Sequence, residues 1–340
     1  MTEKQYGGAT GRGTGEMSVK AKPISAENSL SLKKKAKEIS KKKKSPDTDK
    51  EKIILAGEIA SQVKVFAKTI IKPGVPLLEI AEKIESMIIE LGGKPAFPIN
   101  LSIDNIAAHY TPSHDDQTIA EGLLKVDFGV HIDGWAADNA FSIDLSNSEE
   151  NKELIQATEE ALENAIKMLK KNIMTSEIGG TIQKTIESYD VEPVMNLTGH
   201  SMDQYELHGG IAIPNIDDNR SIELGVGLYA IEPFATTGSG RVKDGKPSGI
   251  YELVDNKNIR SPIAREILEF IEDEYETLPF CSRWLIKKFG TKALFGLKQL
   301  EENGNINQFS QLVESKGSKV SQSEKTILIE ENGNIIVTTL

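Results

Sequence analysis

The chain has 340 residues, of which 38% are hydrophobic and 27% charged, as is usual for a globular protein able to bury a core. No run approaches the roughly 18 apolar residues of a membrane span, and the first residues lack the apolar stretch of a secretory signal. The single cysteine, Cys281, excludes an internal disulfide and a Cys-x-x-Cys zinc site. We therefore expect a cytoplasmic protein.

Charge is divided unevenly along the chain, whose net charge is −11. Residues 1–50 carry 13 Lys and Arg against 6 Asp and Glu, whereas the rest carries 27 against 45. The acidic body argues against a nucleic-acid-binding domain, because a phosphate-binding face should be basic. We expect residues 1–50 to form a disordered basic arm, whose lysines would allow contact with RNA or the ribosome through counterion release.

Hydrophobic periodicity from Glu51 onward alternates between helical and strand patterns. The predicted segments are helices at 52–71 and 76–93, strands up to about 146, helices at about 150–171 and 176–188, and strands from 193 to 253. Because helices precede strands twice, we expect two α+β halves.

Residues 259–318 form a different kind of segment, with two helical runs joined by a turn at Pro279. The chain then ends in two strands around the turn at Asn332-Gly333. The sequence thus predicts an arm at 1–50, a main domain at 51–258 plus 319–340, and a helical insertion at 259–318.

The segment 126–145, VDFGVHIDGWAADNAFSIDL, predicts a hairpin with a type I′ turn at Asp133-Gly134. In that register Asp138 lies opposite Gly129 and one diagonal step from Asp127, on the same face and roughly 7–8 Å away. Two acids beside small residues in mid-strand suggest a pocket. The alternative is a solvated polar face of an antiparallel hairpin.

Further candidate ligands follow along the chain. All five histidines lie between 109 and 208, and His200 shares a face with His208 if their strand is continuous. Glu232 and Glu324 stand at the edges of apolar strand-like runs, where a buried carboxylate needs a partner such as a metal ion. A set of acids with one imidazole suits a pair of divalent ions such as Mn, Co, Fe or Zn, which favours hydrolytic chemistry.

Together these motifs resemble type II methionine aminopeptidases, particularly the archaeal ones, over about residues 52–340. The motifs are GGKPAFPINLSIDNIAAHYTP, VDFGVHIDGWAAD, NLTGHSMDQYELHGGIAIPN, YAIEPFATTGSG, YETLPF with RWL, and SEKTILIE. The resemblance implies an α/β (α+β) pita-bread fold and an enzyme that acts on nascent polypeptides starting with Met. The insertion between Glu232 and Glu324 is what marks the type II form.

The resemblance also implies a ligand set for two divalent metal ions (Co, Mn, Fe or Zn). Its members are Asp127 on one ion, Asp138 and Glu324 bridging both, and His200 and Glu232 on the second.

The remaining implied roles concern the substrate. Glu232 would carry a proton, while His208 and His109 would steady the tetrahedral intermediate and the scissile amide. Phe97 would line the apolar pocket for the Met side chain, or would be an ordinary core phenylalanine.

Two residues depart from the family pattern. Lys325 stands where the family has His, and it would weaken ion binding if it faced the pocket. Asn139 stands where many relatives have Thr.

Two alternatives stay open: a non-catalytic pita-bread protein that binds RNA or the ribosome, and an aminopeptidase specific for X-Pro peptides. We expect a monomer.

Overall fold

The first helix shows how local sequence sets an element boundary. The Thr48 side chain accepts a hydrogen bond from the Glu51 amide while the Glu51 carboxylate accepts one from the Thr48 amide, so this capping box starts the helix where the polar arm ends. The structure, a computed structural model, describes residues 46–219 and 222–339. Almost all of the predicted arm lies outside these residues. Within the described part, no helix is both long and apolar enough to cross a bilayer.

The helices of the described residues agree with the predicted periodicity, except in the insertion. They are α1 (Asp49–Ile70), α2 (Leu77–Glu90), α3 (Glu149–Lys167), α4 (Thr175–Glu187), α5 (Pro262–Glu274), α6 (Ser282–Phe289) and α7 (Lys292–Asn303). The second helical run of the insertion is divided into α6 and α7 because Gly290 adopts a φ of 71° after α6.

The strands, in chain order, are β1 (Lys94–Pro95), β2 (Asn100–Ile103), β3 (Ile106–Ala108), β4 (Leu123–Ile132), β5 (Trp135–Asp144), β6 (Ile173–Met174), β7 (Glu192–Pro193), β8 (Thr198–Met202), β9 (Ala212–Pro214), β10 (Glu223–Leu224), β11 (Gly227–Ile231), β12 (Phe234–Thr236), β13 (Lys243–Leu253), β14 (Phe280–Cys281), β15 (Ile306–Val313), β16 (Val320–Gln322), β17 (Lys325–Ile329) and β18 (Ile335–Val337).

Two sheets carry the centre of the molecule. In one, β4 pairs with β1, β2 and β5; the other has the order β18-β17-β11-β8-β9. Helices α1 and α2 pack on the first sheet through a core that includes Val126, Phe128 and Val130, and α3 and α4 pack on the second through Tyr229 and Ile231. The two predicted α+β halves are therefore present. Because side chains alternate along a strand, the residues that alternate with these core positions face away from the helices.

The segment 259–318 contains more than helices. Helices α5, α6 and α7 enclose a small core of their own, but β15 pairs with β13 and with β3 of the main body. This strand is missing from the sequence prediction, because its partners lie far away in the chain.

Candidate metal centre

The β4–β5 hairpin has the predicted register. Asp133 and Gly134 have φ values of 48° and 82°, as a type I′ turn requires, and Asp138 pairs with Gly129. Asp127 therefore lies on the same face as Asp138, opposite the core face of β4.

Backbone contacts of β5 place Glu324 beside this hairpin. The Asp138 amide donates to Thr326 Oγ1 at 2.7 Å, and this hydroxyl donates to the Asp138 carbonyl at 2.9 Å. The Glu324 amide donates to the Ala140 carbonyl at 3.1 Å. These bonds join the start of β17 to the middle of β5 and bring the Glu324 and Asp138 side chains to one place.

The second sheet contributes His200 and Glu232. His200 pairs with Ala230, and Ile231 pairs with Lys325, so the residues just beyond that pair are Glu232 and Glu324. His200 Nε2 lies 3.8 Å from Asp138 Oδ2 and 3.9 Å from Glu232 Oε1. A potential ligand atom from each of Asp138, His200 and Glu324 lies within 4.8 Å of the other two.

The environment of this cluster disfavours the ionised form of each of its four carboxyl groups. Burial raises the pKa of Asp127 to about 7. Burial, followed by repulsion from neighbouring acids, raises the pKa values of Asp138, Glu232 and Glu324 well above their ordinary range. Burial lowers the pKa of His200 to about 3, so its imidazole is neutral and able to act as a ligand.

The residues present fit divalent metal ions. Several of their fully buried atoms have no hydrogen-bond partner within the described residues: Asp127 Oδ1, His200 Nδ1 and both carboxylate oxygens of Glu324. Buried charged oxygens without partners are costly, and coordination to a cation satisfies both the lone pairs and the charge. Carboxylates with one imidazole form the donor set expected for such ions.

The two histidines expected to contact the substrate, His109 and His208, both line the cavity beside the cluster. The strand does not continue from His200 to His208: β8 ends at Met202, and a turn returns the chain, so that the two imidazole centroids lie 4.6 Å apart. His109 has a φ of 63°, and its Nδ1 donates to the Ser310 carbonyl at 3.1 Å. Burial lowers the pKa of His109 to about 4, which leaves its Nε2 as an acceptor.

A cavity of about 220 Å³ opens beside these groups. Its lining includes Asp127, Asp138, His200, His208, Glu232 and His109, together with the apolar side chains of Phe97, Leu207 and Phe309. Phe97 is buried, and a Cβ added at Gly129 would come within 2.5 Å of its ring. Glycine at position 129 therefore makes room for the aromatic wall of this cavity.

Neither Lys325 nor Asn139 lines this cavity. Lys325 alternates with the inward-facing Glu324 and Thr326 along β17, and its charge acts on Lys64, whose pKa burial lowers to about 8. Lys64 Nζ donates to Asn139 Oδ1 at 3.2 Å. The positive charge of Lys325 thus lies behind the strand and not in the cavity.

Sequence reasoning missed two amides next to the cluster. Asn100 pairs with Asp127 across β2 and β4 and lines the cavity, and Gln322 is buried two residues before Glu324. The available signal was the position of Gln322 close to Glu324 in sequence and of Asn100 opposite Asp127 in register.

Comparisons with known proteins agree with this geometry. The model of metallopeptidase family M24 matches residues 51–273. A methionine aminopeptidase of Methanocaldococcus jannaschii is 46% identical over 291 residues, which cover 85% of this chain and 98% of that protein.

Solved structures share the fold. A thermophilic Arx1 superposes with a TM-score of 0.72 at 20% identity, covering 85% of this chain and 89% of that one. The methionine aminopeptidase of Thermotoga maritima gives 0.62 at 24% identity, covering 87% and 98%. The chain therefore belongs to metallopeptidase family M24, among the methionine aminopeptidases, and has the pita-bread fold.

Proposed function

We propose that this protein removes the N-terminal methionine from nascent polypeptides whose second residue is small. The observation that carries the proposal is the set of acids and His200 beside a cavity with apolar walls, with ligand atoms that have no hydrogen-bond partner among the described residues. At about 220 Å³ the cavity is smaller than a typical drug-sized site and suits a single side chain. The cytoplasm, where such polypeptides arise, is the proposed compartment.

Two divalent ions are proposed for the centre. Asp127 and Asp138 from the first sheet, His200 and Glu232 from the second, and Glu324 just before β17 would hold them. Bound there, the ions would supply an activated water and polarise the scissile carbonyl. Co, Mn, Fe and Zn all accept this donor set.

The protein's own side chains would position the peptide and move protons. His109 donates from Nδ1 to Ser310, so its Nε2 is available to accept the N–H of the scissile amide. His208, exposed at the cavity and beside His200, would donate to the carbonyl oxygen as negative charge develops there. Glu232, with its raised pKa, would carry the proton to the leaving amine.

Release of free methionine from Met-Ala-Ser by metal-stripped protein, before and after addition of Co(II) or Mn(II), tests the proposal. We expect release only with metal. His208→Ala should lower kcat by about 10²-fold without changing the metal content, because it removes one donor to the transition state. Cleavage of Ala-Pro peptides without cleavage of Met-Ala-Ser would instead support the X-Pro alternative.

The binding-protein alternative depends on the basic arm, most of which lies outside the described residues. A complete set of candidate ligands argues for catalysis, since a purely binding role gives no reason to bury these acids. We propose that the arm adds a contact with the ribosome or RNA, and deletion of residues 1–50 should then reduce ribosome co-sedimentation at low salt. Unchanged co-sedimentation would exclude that contact.

A further inference from the structure

A second cavity, of about 720 Å³, is lined by residues of α2, of the short strand β1, and of the insertion helices α5 and α6. Its apolar walls include Pro95, Leu278 and Trp284. Phe97 and Pro279, which line the metal-site cavity, are close in the chain to Pro95 and Leu278 of this second cavity. We call the larger one the insertion cleft. None of the proposed metal ligands lines it.

His131 supplies a polar group to this cleft. Its side chain is more than nine-tenths buried, and its Nδ1 accepts a hydrogen bond from the Gly134 amide at 3.0 Å. Because an amide can only donate, Nδ1 carries no proton, and the proton of the neutral ring is on Nε2. Within residues 46–219 and 222–339, Nε2 has no hydrogen-bond partner, and it is not fully sealed from solvent. Because His131 lines the cleft, this N–H is a donor available to a ligand there.

The charges of the cleft balance. Its carboxylates and its basic side chains are equal in number: Glu82, Glu85 and Glu274 against Lys94, Arg283 and Lys287. Arg283 forms a bidentate pair with Glu85, and Lys94 Nζ lies 2.9 Å from a Glu274 oxygen, so most of this charge is already neutralised within the protein. Such a site gives no net attraction to an ion of either sign.

We propose that the insertion cleft is a second ligand site, for an uncharged and largely apolar molecule whose carbonyl oxygen accepts the His131 Nε2 proton. Its volume falls within the range of sites for small molecules, which combine apolar walls with few polar groups. The proposal is independent of the peptidase function, because it uses none of the residues assigned to the metal centre.

Nile red is a suitable probe, since it is uncharged and apolar, carries a carbonyl oxygen and brightens when removed from water. Titrated into the metal-loaded full-length protein, it should give a saturable rise in emission with one site per chain. Excess free methionine, which should occupy the metal-site cavity, should leave this binding unchanged.

Matched variants locate the site. Ser86→Trp, on the exposed part of α2 that lines the cleft, should abolish saturable binding by filling it, while methionine release continues. Lys83→Trp, also exposed on α2 but outside the cleft, should bind as the unaltered protein does. His131→Phe keeps a ring of similar shape but removes the donor, and should weaken binding about ten-fold.

The proposal is overturned by any of four results. These are no saturable signal, displacement by methionine, full binding by Ser86→Trp, or unchanged affinity in a folded His131→Phe protein.

Discussion

The pair of Arg283 with Glu85 and the acids around His200 are both buried, but their charges are compensated in opposite ways. Glu85 accepts two hydrogen bonds from Arg283, at 2.6 and 2.8 Å, and a third from Trp284 at 2.9 Å. Around His200, by contrast, acids face one another, and several buried oxygens have no hydrogen-bond partner in the part of the chain that the structure describes. The charges of the first cluster are paired within the protein, and this pairing joins the insertion to α2. The charges of the second cluster need bound cations to balance them.

The largest expected effect comes from removing one of the proposed metal ligands. Asp138→Ala should lower kcat/KM for Met-Ala-Ser by at least about 10³-fold, equivalent to roughly 4 kcal/mol of transition-state stabilisation. In the metal-free protein the same change should not lower the free energy of unfolding by a comparable amount, because it relieves repulsion. Peptide kinetics and urea denaturation measure the two quantities. Equal losses of activity and of metal-free stability would contradict the contrast.

The opposite pattern is expected for the complete pair. Glu85→Ala should lower the free energy of unfolding by about 3–5 kcal/mol, because it leaves Arg283 buried without a counter-charge. Urea denaturation measures this loss.

Two controls accompany that change. The double variant Glu85→Leu with Arg283→Met should recover much of the stability, since no unpaired charge remains. Glu79→Ala, which breaks an exposed pair with Lys83 on the same helix, should cost less than about 1 kcal/mol. A similar cost for Glu79→Ala and Glu85→Ala would show that burial does not matter here.

A smaller effect on the free energy of unfolding is expected from a change of pH. Asp127 has a folded-state pKa of about 7 against an ordinary value of 3.8, so the folded protein binds the extra proton. Its contribution to metal-free stability is therefore greatest below about pH 4 and is lost as pH rises toward 7, by at most about 1.4 kcal/mol per pH unit. The difference in unfolding free energy between unaltered protein and Asp127→Asn, measured by urea denaturation from pH 5 to 8, should show this slope.

Addition of Mn(II) should oppose that slope, because the ion competes with protons for the same oxygens. A difference that is independent of pH, with or without the ion, would contradict the proposed state of Asp127.

The smallest effect is expected at Lys325. Because Lys325 does not line the cavity and alternates with Glu324 and Thr326 along the strand, Lys325→His should change kcat/KM by less than about three-fold. Steady-state kinetics at saturating metal measure it. A change of more than ten-fold would place this side chain in the electrostatics of the centre after all.

Sequence reasoning succeeded where a local rule controls geometry. Asp133-Gly134 specifies the turn, the turn fixes the register, and the register puts Asp127 and Asp138 on one face. It could not decide whether the strand continues from His200 to His208, because the end of β8 at Met202 depends on tertiary packing and not on a local signal. It also missed β15, whose pairing with β3 joins segments far apart in the chain. The Arg283–Glu85 pair could not be foreseen, since nothing near either residue in sequence identifies the other.

The long separation in sequence between Glu324 and the acids of the β4–β5 hairpin has a consequence for the order of assembly during synthesis. Asp127, Asp138 and the hairpin that aligns them emerge from the ribosome long before Glu324, which reaches the cluster only when β17 pairs with β11 and binds β5 through Thr326. Contacts between such distant segments form late, because a long loop must close first. The proposed metal centre can therefore form only after β17 has been synthesised, and a product truncated before β17 would expose its acids without the complete set of proposed ligands.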